Sequence, residues 1–223
     1  MDPARRRWVQ CTALMWLGGA VSAAQPQTPV DALGHATSGG NAPRNTLLVV
    51  GDSLSAEYGL TRGNGWVALL DQQLIGERVS ARVVNASISG DTTAGGIARL
   101  PALLAKHRPT LVIVELGGND GLRGLPLADT QRNLAQMAQA AKAAGARVVV
   151  VGVEIPPNYG RRYNDELAAL FVTVAKTEGA ALVPFLMKGV PDAQYQPDRI
   201  HPMAVAHPMM LANVWPALKP LLR

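Results

Sequence analysis

The chain has 223 residues, is 48% hydrophobic and carries a formal net charge of +5, which suits one globular domain with a sizeable core. Aromatic residues make up only 4%, so aliphatic side chains and alanine must fill that core, and no basic stripe interleaved with aromatics is present to bind nucleic acid. The single cysteine, Cys11, excludes a disulfide framework and a cysteine-based metal site.

The first 24 residues contain Arg5, Arg6 and Arg7 and one acid, Asp2, followed by the apolar "CTALMWLGGAV" and the small residues up to Ala24. This is the layout of a secretory signal peptide over residues 1–24, and the apolar stretch is too short for a comfortable membrane span. The expected product is periplasmic or secreted, with no stable membrane anchor after cleavage. Cys11 leaves with the leader, so core packing alone must stabilise the exported domain. Residues 25–45 are rich in Pro, Gly, Ser, Thr and Asn and show no apolar period, as in a flexible linker. The globular domain is expected over 46–223.

From Thr46 the pattern changes. "TLLVVG" (46–51) is a continuous apolar run, and "VSARVVN" (79–85), "LVIVEL" (111–116), "RVVVVGV" (147–153) and "AALVPF" (180–185) are of the same kind. Continuous rather than alternating runs imply strands covered on both faces, as in a parallel sheet. Between them, Trp66, Leu69, Leu70 and Leu74 have helical spacing with Gly76 as a stop. Leu134, Met137, Ala138 and Ala141 repeat it, with Asp129 or Thr130 as cap and Gly145 as stop. Residues 162–178 and 208–219 form further helices, and Pro216 is expected to kink or shorten the last one. The alternation predicts an α/β domain with helices on both faces of a parallel sheet.

In such sheets functional groups collect beyond the carboxyl ends of the strands. The first strand ends in Gly51, Asp52 and Ser53, "SGD" with Gly90 follows the second, and "GGND" with Asn119 follows the third. Asp52 or Ser53 can be a plain helix cap, or Ser53 can be a nucleophile, which then needs a base. Of four histidines, His35 lies in the linker, His107 reads as a helix end, and His201 and His207 flank the last helix. His201 is singled out by "DRIH", because Asp198 three residues earlier falls on the same side of a turn and can orient the imidazole. A local capping pair is the competing reading. Gly90 and Ser53 offer backbone N–H groups, and Asn119 a side-chain amide, to a developing oxyanion, although both loops also read as ordinary turns.

The blocks "GDSL" (51–54), "SISGD", "GGND" (117–120) and "DRIH" (198–201), in that order, resemble the SGNH, or GDSL, hydrolase superfamily. "VVNASISGDT", "VELGGNDGLRG" and "NYGRRYN" are similar to its secreted bacterial thioesterase, lysophospholipase and arylesterase group. The resemblance covers roughly residues 46–223. It implies a three-layer α/β/α sandwich with a five-stranded parallel sheet, a flavodoxin-like SGNH hydrolase fold, with no metal and no organic cofactor. It implies Ser53 as nucleophile and oxyanion donor, Gly90 and Asn119 as further oxyanion donors, His201 as base and Asp198 as its orienter. The substrate expected is a small-molecule acyl ester or thioester, and the small compact domain is expected to be a monomer. The loops 121–127 and 156–163, with Leu122, Leu125, Pro157 and Tyr159, are candidates for the acyl-binding surface. Glu57 is a departure from many relatives and is expected to place an extra carboxylate near the mouth of the site. A sugar deacetylase of the same fold, and a non-catalytic anion-binding module of flavodoxin-like shape, are the alternatives.

Overall fold

The structure, a computed structural model, describes residues 43–222. The expected leader (1–24) and all but the last three residues of the linker (25–45), with Cys11 and His35, lie outside the described residues.

The seven residues of β1 (Asn45–Gly51) are all buried. The strand begins one residue before the expected Thr46, because Asn45 donates its N–H to Ser80 O at 3.1 Å and pairs with Ala81. With β2 (Ala81–Asn85), β3 (Leu111–Glu115), β4 (Arg147–Val151) and β5 (Ala181–Val183) it forms one parallel sheet in the order β2-β1-β3-β4-β5. The runs in β1 and β3 are buried throughout, whereas β2, at the sheet edge, is only half-buried. The four strands other than β1 are shorter than their apolar runs suggest. The chain after β4 passes so close to the chain after β5 that a Cβ on Gly152 would lie 2.2 Å from Pro184 O, and Pro184 has no N–H with which to continue a ladder.

Helices α1 (Trp66–Gly76) and α6 (His207–Leu218) pack together on one face, and α2 (Thr93–His107), α4 (Leu127–Ala143) and α5 (Arg161–Glu178) cover the other. The short α3 (Gly118–Leu122) follows β3. The result is a three-layer α/β/α sandwich whose core is Leu, Val and Ala around the fully buried Trp66 and Phe171. Pro216 does not break α6. Its ring lies on the exposed side, and the helix runs to Leu218 before a final turn at Lys219–Leu221.

The helix least visible in the sequence is α2, which carries Gly95, Gly96 and Pro101. Tertiary contacts hold it. The Thr92 hydroxyl caps it by accepting the Gly95 N–H at 3.3 Å, Gly96 leaves room for Leu116, whose Cδ1 would sit 2.3 Å from a Cβ there, and Thr93 is bonded to Asp120. No helix among the described residues is long and apolar enough to cross a membrane.

Candidate active site

The sheet order reverses direction between β1 and β3, and the crevice beyond the strand ends at such a point is where α/β sheets bind ligands. Asp52 and Ser53 leave β1 there. No helix follows directly for them to cap, since α1 begins only at Trp66. Instead the chain turns. Asp52 O accepts the N–H groups of Ser55 at 3.2 Å and Ala56 at 2.9 Å, and Asp52 Oδ1 accepts that of Leu54 at 3.0 Å. Ser53 rides this turn into the crevice.

His201 comes to it from 148 residues away. Its Nε2 lies 2.8 Å from Ser53 Oγ, and its Nδ1 lies 2.7 Å from Asp198 Oδ2. The other Asp198 oxygen accepts the N–H groups of Ile200 at 2.9 Å and His201 at 3.0 Å, so the spacing in "DRIH" closes as one tight turn, with Arg199 in the left-handed region at φ 59°. Partial burial opposes ionisation of Asp198, but these two N–H donors and the His201 ring outweigh it and hold the carboxyl at about 2. Asp198 is therefore a carboxylate at any working pH.

Two residues that sequence reasoning missed frame the imidazole. The Tyr58 ring packs against it with centroids 4.4 Å apart, tilted by 39°. Gln196 donates its Nε2–H to both Tyr58 O at 3.0 Å and Pro202 O at 3.1 Å, and its backbone N–H to His201 O at 2.7 Å. It thereby ties the His201 turn to the Ser53 turn. Neither residue stands in a recognisable spacing, so only the folded chain reveals them.

Gly90 takes φ 79°, a left-handed conformation that costs glycine little. Its loop is fixed from below by the Arg99 guanidinium, which pairs with Asp91 at 2.8 Å and donates to Ala86 O. From the residue just after α3, Arg123 donates to Gly90 O at 2.8 Å. The N–H groups of Ser53 and Gly90 find no protein acceptor among the described residues. Asn119, in the first turn of α3, lines the crevice and donates Nδ2–H to Asp52 Oδ2 at 2.9 Å. The adjacent Asp120 is buried and structural. It accepts from the Thr93 N–H at 2.9 Å and from the hydroxyls of Thr93 and Thr130, joining α2, α3 and α4.

The crevice widens into a cleft of about 700 Å³ with an apolar wall that includes Leu54, Ile155, Phe185, Met187 and Tyr195. Leu122, Pro157 and Tyr159 line it as expected from their loops. Leu125 does not. It turns away from the cleft where its N–H bonds Asp120 O and its carbonyl accepts the Tyr163 hydroxyl at 3.1 Å. Glu57 also departs from expectation. Its carboxylate is absent from the cleft wall and is consumed by the backbone N–H groups of Gly63 and Gly65, at 2.8–3.1 Å. His207 is buried under the core, where its Nδ1 accepts the Trp66 N–H at 3.0 Å; burial lowers its pKa. Arg161 and Arg162 point to solvent and pair along their own helix with Asp165 and Glu166.

A sequence profile described as the GDSL-like Lipase/Acylhydrolase family matches residues 49–207, a span that contains the whole constellation. The chain belongs to this family.

Other GDSL-like proteins are similar over nearly the same span. The chain is 57% identical over 183 residues to Esterase TesA of Pseudomonas aeruginosa, covering 81% of this chain and 91% of that one. It is 44% identical over 182 residues to Thioesterase 1/protease 1/lysophospholipase L1 of Escherichia coli, covering 81% and 86%. A crystal structure of TesA superposes with a TM-score of 0.78 at 57% identity, over 79% of this chain and 99% of the other. The chain is an enzyme of the ester-hydrolase class.

Proposed function

We propose that the chain is an exported acyl esterase and thioesterase that works through an acyl-enzyme on Ser53. What supports this reading is one observation above the others: His201 stands 2.8 Å from Ser53 Oγ and 2.7 Å from Asp198 at the mouth of an apolar cleft. His201 Nε2 takes the hydroxyl proton as Ser53 Oγ attacks the substrate carbonyl carbon. The carbonyl oxygen becomes an oxyanion and accepts N–H groups from Ser53, Gly90 and Asn119. The intermediate collapses, the bond to the leaving alcohol or thiol breaks, and imidazolium gives it the proton. Water, deprotonated by the same nitrogen, then releases the carboxylic acid. Asp198 keeps the ring in the required tautomer and stabilises its charged form.

The apolar wall of Leu54, Ile155, Phe185 and Met187 fits an acyl chain, which supports acyl esters. Glu154, Asn158 and Asp192 also line the cleft, and a panel of acetylated glycans against longer acyl esters separates the two substrate classes. The Escherichia coli relative is named as a thioesterase and lysophospholipase, which extends the class to thioesters and monoacyl lipids. The basic and apolar N-terminal order supports export to the periplasm or medium.

The test is covalent and kinetic. A fluorophosphonate labels Ser53 and no other serine, and mapping of the label to Ser55, Ser87 or Ser89 refutes the assignment. Asn119→Ala lowers kcat on an aryl ester by roughly 10²–10³ with little change in KM. His201→Ala loses more, Asp198→Ala falls between, and the His201/Asp198 double variant is scarcely worse than His201→Ala, because the two act as a unit. Losses that multiply instead separate Asp198 from His201.

A further inference from the structure

Asp52 sits directly behind the site and is only 2% exposed. Its two carboxylate oxygens serve two different oxyanion donors. Oδ1 accepts the Leu54 N–H and so closes the turn that carries Ser53 and its backbone N–H. Oδ2 accepts one Nδ2–H of Asn119 at 2.9 Å, and a primary amide has a second N–H on the same nitrogen. An amide can also be turned over, since its oxygen and nitrogen are close in size. Turned over, Asn119 would face the carboxylate with Oδ1, and two acceptors would meet. A charged Asp52 therefore selects the orientation in which the amide nitrogen, with its spare hydrogen, stays at the crevice.

The charge on Asp52 is secured from the β3 side. Glu115 stands opposite Gly51 in the sheet register and is fully buried. Its Oε2 accepts the Ser55 hydroxyl at 2.6 Å and lies 3.4 Å from Asp52 N. Two carboxyl groups whose charges oppose each other in the interior do not both ionise readily. Burial first, and then the charge of Asp52, push Glu115 well above the usual carboxylate range, so it stays neutral. The other groups that face Asp52 are His201 from the last turn before α6 and Asp91 from the loop after β2, the latter paired with Arg99.

We propose that Asp52 is a positioning residue for ester hydrolysis: as a carboxylate it holds the Asn119 amide with an N–H available to the oxyanion, and on protonation it releases that hold. This rests on the oxyanion role proposed above for Asn119. Burial raises the Asp52 carboxyl to about 6, close enough to working pH for the release to be read in kinetics.

The experiment compares wild type, Asp52→Asn, Asn119→Ala and the double variant on one short aryl ester between about pH 4 and 8. Asp52→Asn keeps the shape but not the charge, and it should lower kcat by about tenfold to a hundredfold with KM nearly unchanged. The double variant should be no slower than Asn119→Ala within about twofold, since the amide through which Asp52 acts is already gone. In the wild type the acid limb of kcat/KM should be steeper than in Asn119→Ala by the one proton that Asp52 takes up. Should Asp52→Asn fail to fold, the two acid limbs decide alone. Losses that multiply in the double variant, or acid limbs of equal steepness in wild type and Asn119→Ala, overturn the inference while leaving the oxyanion reading intact. An Asn119→Ala enzyme as fast as the wild type removes the oxyanion reading and this inference together.

Discussion

Leu122 and Leu125 are three residues apart in one apolar stretch, yet only Leu122 reaches the cleft. The difference arises because α3 ends at Leu122, and the chain then turns through Gly124 with the Leu125 backbone bonded to Asp120 and Tyr163. The consequence is a kinetic contrast. Leu122→Ala and Pro157→Ala should lower kcat/KM for long acyl chains by about tenfold or more, because each apolar contact of this size discriminates by about 1–3 kcal/mol. Turnover of the shortest esters should be nearly intact. Leu125→Ala should leave the ranking of chain lengths unchanged. A series of aryl esters of increasing chain length measures all three. A uniform loss across chain lengths in Leu122→Ala would make that residue a support of the fold rather than of specificity.

Among the elements, a backbone-to-backbone junction with no room for a side chain lies where β4 and β5 end. Gly152 donates to Val183 O at 2.8 Å and accepts from the Leu186 N–H at 2.9 Å, and a Cβ there would run into the Pro184 carbonyl, which is backbone and cannot swing aside. Gly152→Ala should therefore cost about 3 kcal/mol, the upper end of what overpacking does. That corresponds to a fall in Tm of roughly 6–12 °C for a domain of this size, readable by calorimetry. The strand-end loop carrying Val153 and Ile155 into the cleft begins at this residue, so activity on long chains should fall with it. A variant of wild-type stability would mean that the two strand ends can part at little cost.

For the whole molecule, the buried acid pair makes stability depend on pH. Glu115 has a folded pKa well above its unfolded value near 4.5, with burial as the main cause. Above that unfolded value the unfolded chain has lost the proton that the folded chain keeps. Stability therefore falls as pH rises from about 4.5 towards the folded pKa, by up to about 1.4 kcal/mol per pH unit. Glu115→Gln keeps an acceptor for Ser55 and removes the titration. Its stability relative to wild type should rise steadily from pH 5 to pH 7 in denaturant melts, on the order of 1 kcal/mol per unit. A difference that does not change with pH would show that Glu115 ionises within the folded protein. Asp198 acts in the opposite sense. Its folded carboxyl is held at about 2, so the stability it contributes is present above its usual value and is lost only as pH falls towards 2.

The sequence alone carried the strand and helix alternation, because β1, β3 and β4 are continuous apolar runs that only a doubly covered sheet can bury. It also marked Ser53, Gly90, Asn119, Asp198 and His201 as candidates, because each follows a strand end or sits in a short local pattern, and the fold brings Ser53, His201 and Asp198 within hydrogen-bond reach of one another. What it could not carry is whatever depends on groups brought together from distant positions. Helix α2 was obscured by two glycines and a proline that local propensity reads as breakers, and it stands because Thr92, Leu116 and Asp120 support it. The fates of Glu57 and His207 were decided by backbone N–H groups up to 141 residues away, and that of Leu125 by the Tyr163 hydroxyl 38 residues on. Above all, the Asp52–Glu115 pair exists only because a parallel register sets Gly51 beside Glu115, and burial shifts a carboxyl pKa only once the fold has removed the water.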